Sequence, residues 1–210
     1  MFFDFWGTVV ENGIFPSPVR QAQRILRINV PFPEYIQKFE SSFMTKKFDT
    51  LTEYFRNVTK EFGTNPPEFV YEKLVGMWNK NTILCKPFPE TIEVLDELKK
   101  DYKLVLISNT DCLSVPQLLE KFDLNKYFDE VVLSCDIGSL KTDKEIFEMP
   151  LKKLKLKKTE VIMVGDSIPT DIEGAAKAGI AGILVDRRGT REFENKISSL
   201  TELKEKLENE

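Results

Sequence analysis

The residues best suited to chemistry stand at or just after short apolar runs of this sequence. They comprise carboxylates, one lysine, one hydroxyl and one amide, and they are Asp4, Ser108, Asn109, Lys141, Asp166 and Asp171. Carboxylate oxygens are ligands that Mg²⁺ prefers, and lysine is a common binder of phosphate. If these side chains meet in the fold, they suit a divalent cation together with a phosphoryl group.

Histidine is absent from the 210 residues. This excludes Ser-His-Asp and Cys-His catalysis, zinc sites with histidine ligands, and histidine as a general base. Acid–base or nucleophilic chemistry must therefore use carboxylates, lysine, tyrosine, cysteine, hydroxyl groups or a metal ion.

Composition and charge limit the partners that we expect. The net charge is −4 with a pI near 5.2, so no general basic field attracts nucleic acid or an anionic membrane. No apolar run reaches membrane-spanning length, and early charges at Asp4 and Glu11 argue against a signal peptide. Cys85, Cys112 and Cys135 are odd in number and form no CxxC pair, which predicts free thiols and a cytoplasmic location.

Apolar runs alternate with helical patterns over much of the chain. The runs are predicted to be strands, at the chain start (MFFDF) and at 104–108, 131–134, 161–165 and 182–186. Their continuous apolar character is typical of parallel strands buried on both faces. The helices are predicted at 90–100, at 114–122 with Ser114 and Gln117 as a capping box, and at 171–178. This order predicts a Rossmann-like, doubly wound α/β fold, in which ligands bind at the carboxyl ends of strands.

Residues 16–85 have a different pattern, without convincing strands. Helices are predicted near 18–28, 33–46, 50–62 and 67–79, with Pro and Gly between them. Aromatic residues recur there at helical spacing and are predicted to form a core rather than to contact a ligand. We therefore predict an α/β core of residues 1–15 and 86–210, with residues 16–85 inserted as a helical cap.

Four short patterns, taken in order, resemble the motifs of the haloacid dehalogenase superfamily. The first reads DFWGT from Asp4 to Thr8, the second is Ser108 with Asn109, the third is Lys141, and the fourth reads GDSIPTD over 165–171. One pattern alone is weak, but four in order at strand ends are specific. The resemblance covers the whole chain. The spacing between the first two motifs is similar to that in members of the superfamily that carry a helical cap there.

The resemblance also implies a role for each motif residue. Asp4 would attack phosphorus and form an aspartyl-phosphate, as a nucleophile does in covalent catalysis. The implied catalytic residues are Asp4, Ser108 and Lys141. The implied contacts to phosphate or substrate are Ser108, Asn109, Lys141, Trp6 and Gly7. The implied ligands of Mg²⁺ are the carboxylates of Asp4, Asp166 and Asp171 and the main-chain carbonyl of Trp6.

Trp6 departs from the family pattern, which usually has a second aspartate here that protonates the leaving oxygen and then activates water. Losing a general acid–base group costs about 10²- to 10⁴-fold in rate. Three interpretations follow: substrates with good leaving groups such as acyl or aryl phosphates, a substitute carboxylate such as Glu11 or Asp111, or a feeble catalyst. An aromatic residue at this position also resembles the dehalogenase branch, which needs no metal.

The sequence thus predicts a Mg²⁺-dependent hydrolase, a phosphatase or acylphosphatase-like enzyme, acting on a small phosphorylated metabolite through Asp4. A hydrolytic haloacid dehalogenase and a weak homologue that binds a phosphorylated ligand or a partner protein are the alternatives. The expected protein is a monomer or homodimer without nucleic-acid or membrane partners.

Overall fold

A six-stranded parallel sheet forms the centre of the protein in a computed structural model, which describes residues 1–208. The strand order is β5-β4-β1-β6-β7-β8, and a separate antiparallel pair joins β2 to β3. The strands are β1 (Phe2–Phe3), β2 (Val10–Glu11), β3 (Lys86–Pro87), β4 (Val105–Ser108), β5 (Glu130–Leu133), β6 (Ile162–Gly165), β7 (Ala181–Val185) and β8 (Lys196–Ile197). The predicted α/β fold is confirmed, and the short β8 is an edge strand that was not predicted.

Helices connect most of these strands along the chain. They are α1 (Pro18–Ile25), α2 (Phe32–Phe43), α3 (Leu51–Glu61), α4 (Glu68–Leu84), α5 (Thr91–Leu98), α6 (Ser114–Lys121), α7 (Ser134–Ile137), α8 (Glu145–Leu154), α9 (Glu173–Lys177) and α10 (Leu203–Glu208). Residues 209 and 210, the end of the predicted core, lie outside the described range. No helix among residues 1–208 combines the length and apolar composition that crossing a membrane requires.

The sheet is buried on both faces. Successive residues of its strands point to opposite sides, and each side packs into an apolar cluster. Phe2 pairs with Val105 and Met163, and all three belong to the apolar cluster on one face. Phe3 is aligned with the next residues of the same strands, and these belong to the cluster on the other face. This double burial explains why the strands are continuous apolar runs in the sequence.

Helices α1–α4, called the helical insert below, lie between β2 and β3 in the chain and share an apolar cluster of their own. Aromatic rings dominate it: the Phe43 ring centroid lies 4.6 Å from that of Trp78 and 4.9 Å from that of Phe39. At the start of α3, Thr50 and Glu53 form a reciprocal capping box. The insert thus packs through aromatic contacts, as the helical spacing predicted.

The capping box predicted at Ser114 is wrong, because Ser114 is already the first helical residue of α6. Asp111 caps the helix instead. Its Oδ1 accepts hydrogen bonds from the main-chain N–H groups of Leu113 (2.9 Å) and Ser114 (2.8 Å). Its Oδ2 accepts from the Ser114 hydroxyl (2.8 Å) and from Trp78 Nε1 of the helical insert (3.2 Å).

The prediction of free thiols is wrong for two of the three cysteines. Cys112 and Cys135 form a disulfide, with their Cα atoms 5.7 Å apart, while Cys85 is a buried free thiol. Cys112 follows β4 and Cys135 follows β5, and these strands are neighbours in the sheet. A separation of 23 residues hides this proximity in the sequence, because only strand pairing creates it.

Candidate active site

A buried charge cluster lies at the carboxyl ends of the central strands. The Lys141 ammonium contacts Asp4 Oδ1 and Asp171 Oδ1, each at 2.5 Å, and all three side chains are buried. The Thr8 hydroxyl donates to the other Asp4 oxygen at 3.0 Å. The first, third and fourth motifs of the sequence therefore converge at one point.

A π-helical turn places Asp171. The turn spans Ile168–Ile172, and the main-chain N–H groups of Asp171 and Ile172 both donate to the Ser167 carbonyl. In return, the Ser167 N–H donates to Asp171 Oδ2 at 2.9 Å. Wide turns of this kind are rare and recur at functional sites. Here the turn directs the Asp171 carboxylate back over the end of β6.

Two contacts hold the main chain of Lys141. Its N–H donates to Asn109 Oδ1 at 2.9 Å, which ties the third motif to the second. Its carbonyl faces Gly174 of α9, where a Cβ atom would lie 1.8 Å from the carbonyl oxygen. Only glycine allows this close approach, so Gly174 belongs to the support of the site.

Gly7 allows a second close approach. Its φ of +87° favours glycine, and an added Cβ would lie 2.5 Å from Asp166 Oδ2. The Gly7 N–H donates to the Val10 carbonyl at 2.7 Å. Arg191 donates to the main-chain carbonyl of Asp166, and its guanidinium lies 3.9 Å from Asp166 Oδ2.

The three aspartates fit a divalent cation. Asp4, Asp166 and Asp171 can each place one carboxylate oxygen so that all three oxygens lie within 4.8 Å of one another. The set consists of oxygen ligands alone, the donor type that Mg²⁺ prefers. The arrangement also carries more negative than positive charge, since three carboxylates share the buried Lys141 and the partly exposed Arg191.

Burial raises the pKa of Asp4 above its usual range; Lys141 opposes this, while Asp171 and Asp166 reinforce it. For Lys141, burial lowers the pKa, but the neighbouring carboxylates of Asp171 and Asp4 outweigh burial and raise the pKa above its ordinary value. Burial and then Asp171 raise the pKa of Asp166. These directions describe a site that binds its ammonium tightly and has an affinity for further positive charge.

The second motif contributes a hydroxyl with unused hydrogen-bonding capacity. Ser108 ends β4 and is completely buried, yet its Oγ has no hydrogen-bond partner within residues 1–208. Buried polar groups are normally satisfied, so the Ser108 hydroxyl is an exception among them. Asn109 differs, because its Oδ1 accepts from Lys141 and its Nδ2 donates to Glu40 Oε2 of the helical insert at 3.2 Å.

A cavity of about 540 Å³ opens above this cluster, between the strand ends and the helical insert. Asp4, Lys141 and Asp166 line its floor, and Trp6 lines it beside them. The Trp6 ring meets the buried Phe5 ring edge to face, with centroids 5.1 Å apart. Trp6 therefore presents a packed aromatic surface where an ionisable side chain is usual in the family that the motifs resemble.

The site also contains residues that the sequence analysis missed, Glu40 and Arg191. Glu40 belongs to no motif, and in the sequence it resembles the other charged residues of α2. A signal was present nonetheless: Pro33, Gln37 and Glu40 recur at helical spacing and line the cavity, on a face of α2 separate from its buried aromatic residues. Arg191 lies in a loop, where no periodicity marks it.

Comparison with known proteins identifies the family. The family model described as haloacid dehalogenase-like hydrolase matches residues 2–185. The chain belongs to this family. The predicted superfamily and the prediction of a hydrolase are therefore confirmed.

Curated relatives within the haloacid dehalogenase-like family include phosphatases. The glyceraldehyde 3-phosphate phosphatase of Methanothermobacter thermautotrophicus is 31% identical over 191 residues, covering 89% of this chain and 84% of that protein. The pyrimidine 5′-nucleotidase YjjG of Escherichia coli is 30% identical over 130 residues, covering 59% of this chain and 58% of that protein.

Solved structures support the fold. A HAD phosphatase from Thermococcus onnurineus matches with a TM-score of 0.66 and 24% identity, covering 98% of this chain and 96% of that one. A 2-haloacid dehalogenase from Pseudomonas syringae pv. tomato matches equally well, with a TM-score of 0.66, 22% identity and coverage of 99% and 97%. Because one fold carries both activities, the choice between them depends on the site.

Proposed function

We propose that this protein is a Mg²⁺-dependent phosphatase that hydrolyses small phosphate monoesters through an aspartyl-phosphate on Asp4. The observation that carries the proposal is the buried bridge from Lys141 to Asp4 and Asp171, with an Asp166 oxygen within 4.8 Å of theirs. Three carboxylates around one point suit a metal and a phosphoryl group, whereas a dehalogenase needs no metal. The relatives named as a glyceraldehyde 3-phosphate phosphatase and a pyrimidine 5′-nucleotidase support the same choice.

Each motif residue has a proposed task. The Asp4 carboxylate attacks phosphorus, while the Thr8 hydroxyl and the Lys141 ammonium hold its oxygens in place. Lys141 also offsets negative charge on the transferring phosphoryl group. The Ser108 hydroxyl, which lacks a partner within residues 1–208, donates to a phosphoryl oxygen. Asn109 aligns Lys141 through the hydrogen bond to its main-chain N–H.

The proposed metal ligands are the carboxylates of Asp4, Asp166 and Asp171, together with the main-chain carbonyl of Trp6. When bound, Mg²⁺ supplies positive charge that reduces the repulsion between an anionic nucleophile and an anionic phosphate. The acidic, oxygen-only cluster fits this ion.

The cavity supports the proposed substrate class. A volume of about 540 Å³ lies in the range of small-molecule sites and suits a phosphorylated metabolite. Helices α1, α2 and α4 of the helical insert line its upper part, so we propose that the insert acts as a cap and sets specificity. A cytoplasmic location and a monomeric or homodimeric state stay predictions.

Phosphate release from p-nitrophenyl phosphate and acetyl phosphate tests the function. We expect turnover that requires Mg²⁺, stops with EDTA, and falls at least about 10³-fold in the Asp4→Asn variant, which keeps the shape but loses the nucleophile. Thermal unfolding of the variant serves as the control for folding. No phosphate release by the wild type with Mg²⁺ present would contradict the proposal.

Trp6 favours one rival function, hydrolytic dehalogenation, because an aromatic residue at this position resembles the dehalogenase branch. Turnover in H₂¹⁸O separates the two. Water attacks phosphorus in an aspartyl-phosphate, so the label enters phosphate alone. An alkyl ester is cleaved at its carbonyl carbon, so the label enters Asp4 and is detected by mass spectrometry of its peptide. Halide release without Mg²⁺, with labelled Asp4, would replace the phosphatase proposal.

A further inference from the structure

Proton transfer is the part of the proposed reaction that the motif residues leave without a group. The indole of Trp6 neither gives nor takes a proton at neutral pH. The two substitutes considered from the sequence are engaged elsewhere. The Oε1 atom of Glu11, on β2, lies 3.4 Å from the ammonium of Lys86, on β3. Asp111 caps α6 through both of its oxygens. An alkyl leaving group still requires protonation, so another acid is needed.

Glu40 is the remaining carboxyl of the cavity, and it comes from the helical insert rather than from the sheet. It lines the cavity with Asp4 and Trp6. Its Oε2 accepts a hydrogen bond from Asn109 Nδ2 at 3.2 Å. The carboxyl therefore lies beside the second motif, Ser108 and Asn109. Phe39 and Phe43, on either side of Glu40 in the chain, pack against each other with ring centroids 4.9 Å apart and seat this part of α2 in the insert.

The surroundings of Glu40 favour a carboxyl that exchanges its proton near neutral pH. Burial raises its pKa from 4.5 to about 7, although Lys141 and the hydrogen bond from Asn109 lower it; Asp171 adds a smaller upward effect. Within residues 1–208 Glu40 makes no salt bridge. The charged neighbours on its own helix, Glu34 and Lys38, pair with each other in solvent.

We propose that Glu40 is the general acid and base of this enzyme and does the work of the carboxyl absent at Trp6. The inference rests on the proposed phosphatase function. In the first step, Asp4 bonds to phosphorus, the bond from phosphorus to the ester oxygen breaks, and that oxygen takes the proton of Glu40. In the second step, the Glu40 carboxylate takes a proton from water as the water oxygen bonds to phosphorus. The bond from phosphorus to Asp4 then breaks, which releases phosphate and restores the Asp4 carboxylate.

Leaving-group dependence tests this assignment. Glu40→Gln keeps the size of the side chain and an oxygen that accepts from Asn109, but removes the exchangeable proton. With an alkyl phosphate such as glycerol phosphate, we expect kcat to fall about 10²-fold or more, without a burst. With p-nitrophenyl phosphate, whose leaving group needs no proton, the first step stays fast. One equivalent of nitrophenolate is then released in a burst before slow hydrolysis of the aspartyl-phosphate.

The matched control is Glu34→Gln, the same chemical change on the exposed side of the same helix. It should leave both substrates unaffected. A second variant, Trp6→Asp in the Glu40→Gln background, places a carboxyl at the family position and should restore turnover of the alkyl phosphate. The pH profile adds a further measure, because the alkaline fall of kcat/KM near pH 7 should disappear in Glu40→Gln.

The outcomes separate the inference from the function on which it rests. If the wild type releases phosphate and Glu40→Gln slows both substrates equally without a burst, or behaves like Glu34→Gln, Glu40 is not the proton-transfer group. If the wild type folds normally but releases phosphate from neither substrate with Mg²⁺ present, the phosphatase function itself is overturned.

Discussion

The carboxyl-end edge of the sheet, called the sheet edge below, and the helical insert form two parts of one cavity, and different interactions hold each part together. At the sheet edge, buried charges hold one another: Lys141 contacts Asp4 and Asp171 at 2.5 Å each. In the insert, packed rings hold the structure, with the Phe43 centroid 4.6 Å from that of Trp78. Glu40 is a half-buried carboxyl of the insert that faces the cavity without a cation in contact among residues 1–208.

This difference separates residues that need one geometry from residues that are free to vary. A buried ion cluster tolerates little change, because removing one partner leaves the others uncompensated. An aromatic cluster depends on volume and shape, and many sequences satisfy it. The specificity and proton transfer that we propose for the insert can therefore change while the proposed nucleophile and metal ligands stay in place.

The largest expected effect on stability is that of Lys141→Met, which removes the buried positive charge from the cluster at the strand ends. Loss of the ammonium leaves Asp4 and Asp171 buried without a counter-charge, so we expect a loss of about 3–5 kcal/mol in the free energy of unfolding in EDTA. Urea denaturation measures it, and added Mg²⁺ should recover part of the loss by restoring positive charge. Lys144→Met, which removes an exposed lysine 3.6 Å from Glu148, serves as the control and should change little. Equal effects of the two variants would show that the buried cluster is not special.

The next effect concerns the helical insert: Glu40 should make the stability of the protein depend on pH. The folded protein holds the Glu40 proton up to about pH 7, whereas an unfolded glutamate loses it near 4.5. The folded state therefore binds more protons between these values, so Glu40 makes stability fall as pH rises through this window. Glu40→Gln should be more stable than wild type well above pH 7, by roughly 3 kcal/mol, and equal to it below pH 4.5. Thermal or urea unfolding across pH measures the difference, and a constant difference at all pH values would contradict the raised pKa.

The smallest effects come from a matched pair of glycines, one from each region. Gly174→Ala places a Cβ 1.8 Å from the Lys141 carbonyl, so the backbone must shift. We expect a loss of about 1–3 kcal/mol and lower activity, because Lys141 moves. Gly76→Ala lies within α4 with open space around it and should stabilise the protein by about 0.5–1 kcal/mol. Unfolding curves and phosphate release measure both, and similar results for the two would mean that Gly174 does not position the site.

Strand-end residues were the part of the site that local patterns could predict. Asp4, Ser108 and Asp166 each stand at the end of an apolar run, and parallel strands bring such ends to one edge. Lys141 was found only through its order among the motifs, because it lies in a loop after α7. Glu40 was marked only by its helical spacing along one face of α2, and the pairing of Cys112 with Cys135 was not marked at all, since each contact joins distant segments.

The sequence by itself determined the parallel α/β sheet, the inserted helices and the chemical types available at the strand ends. Apolar periodicity is a local property, and burial on both faces of a sheet requires it. Only the tertiary structure decided which carboxyl of the insert lines the cavity together with Asp4. That choice depends on how the aromatic cluster seats α2 against the sheet edge, so that Glu40 meets Asn109 across 69 residues of chain.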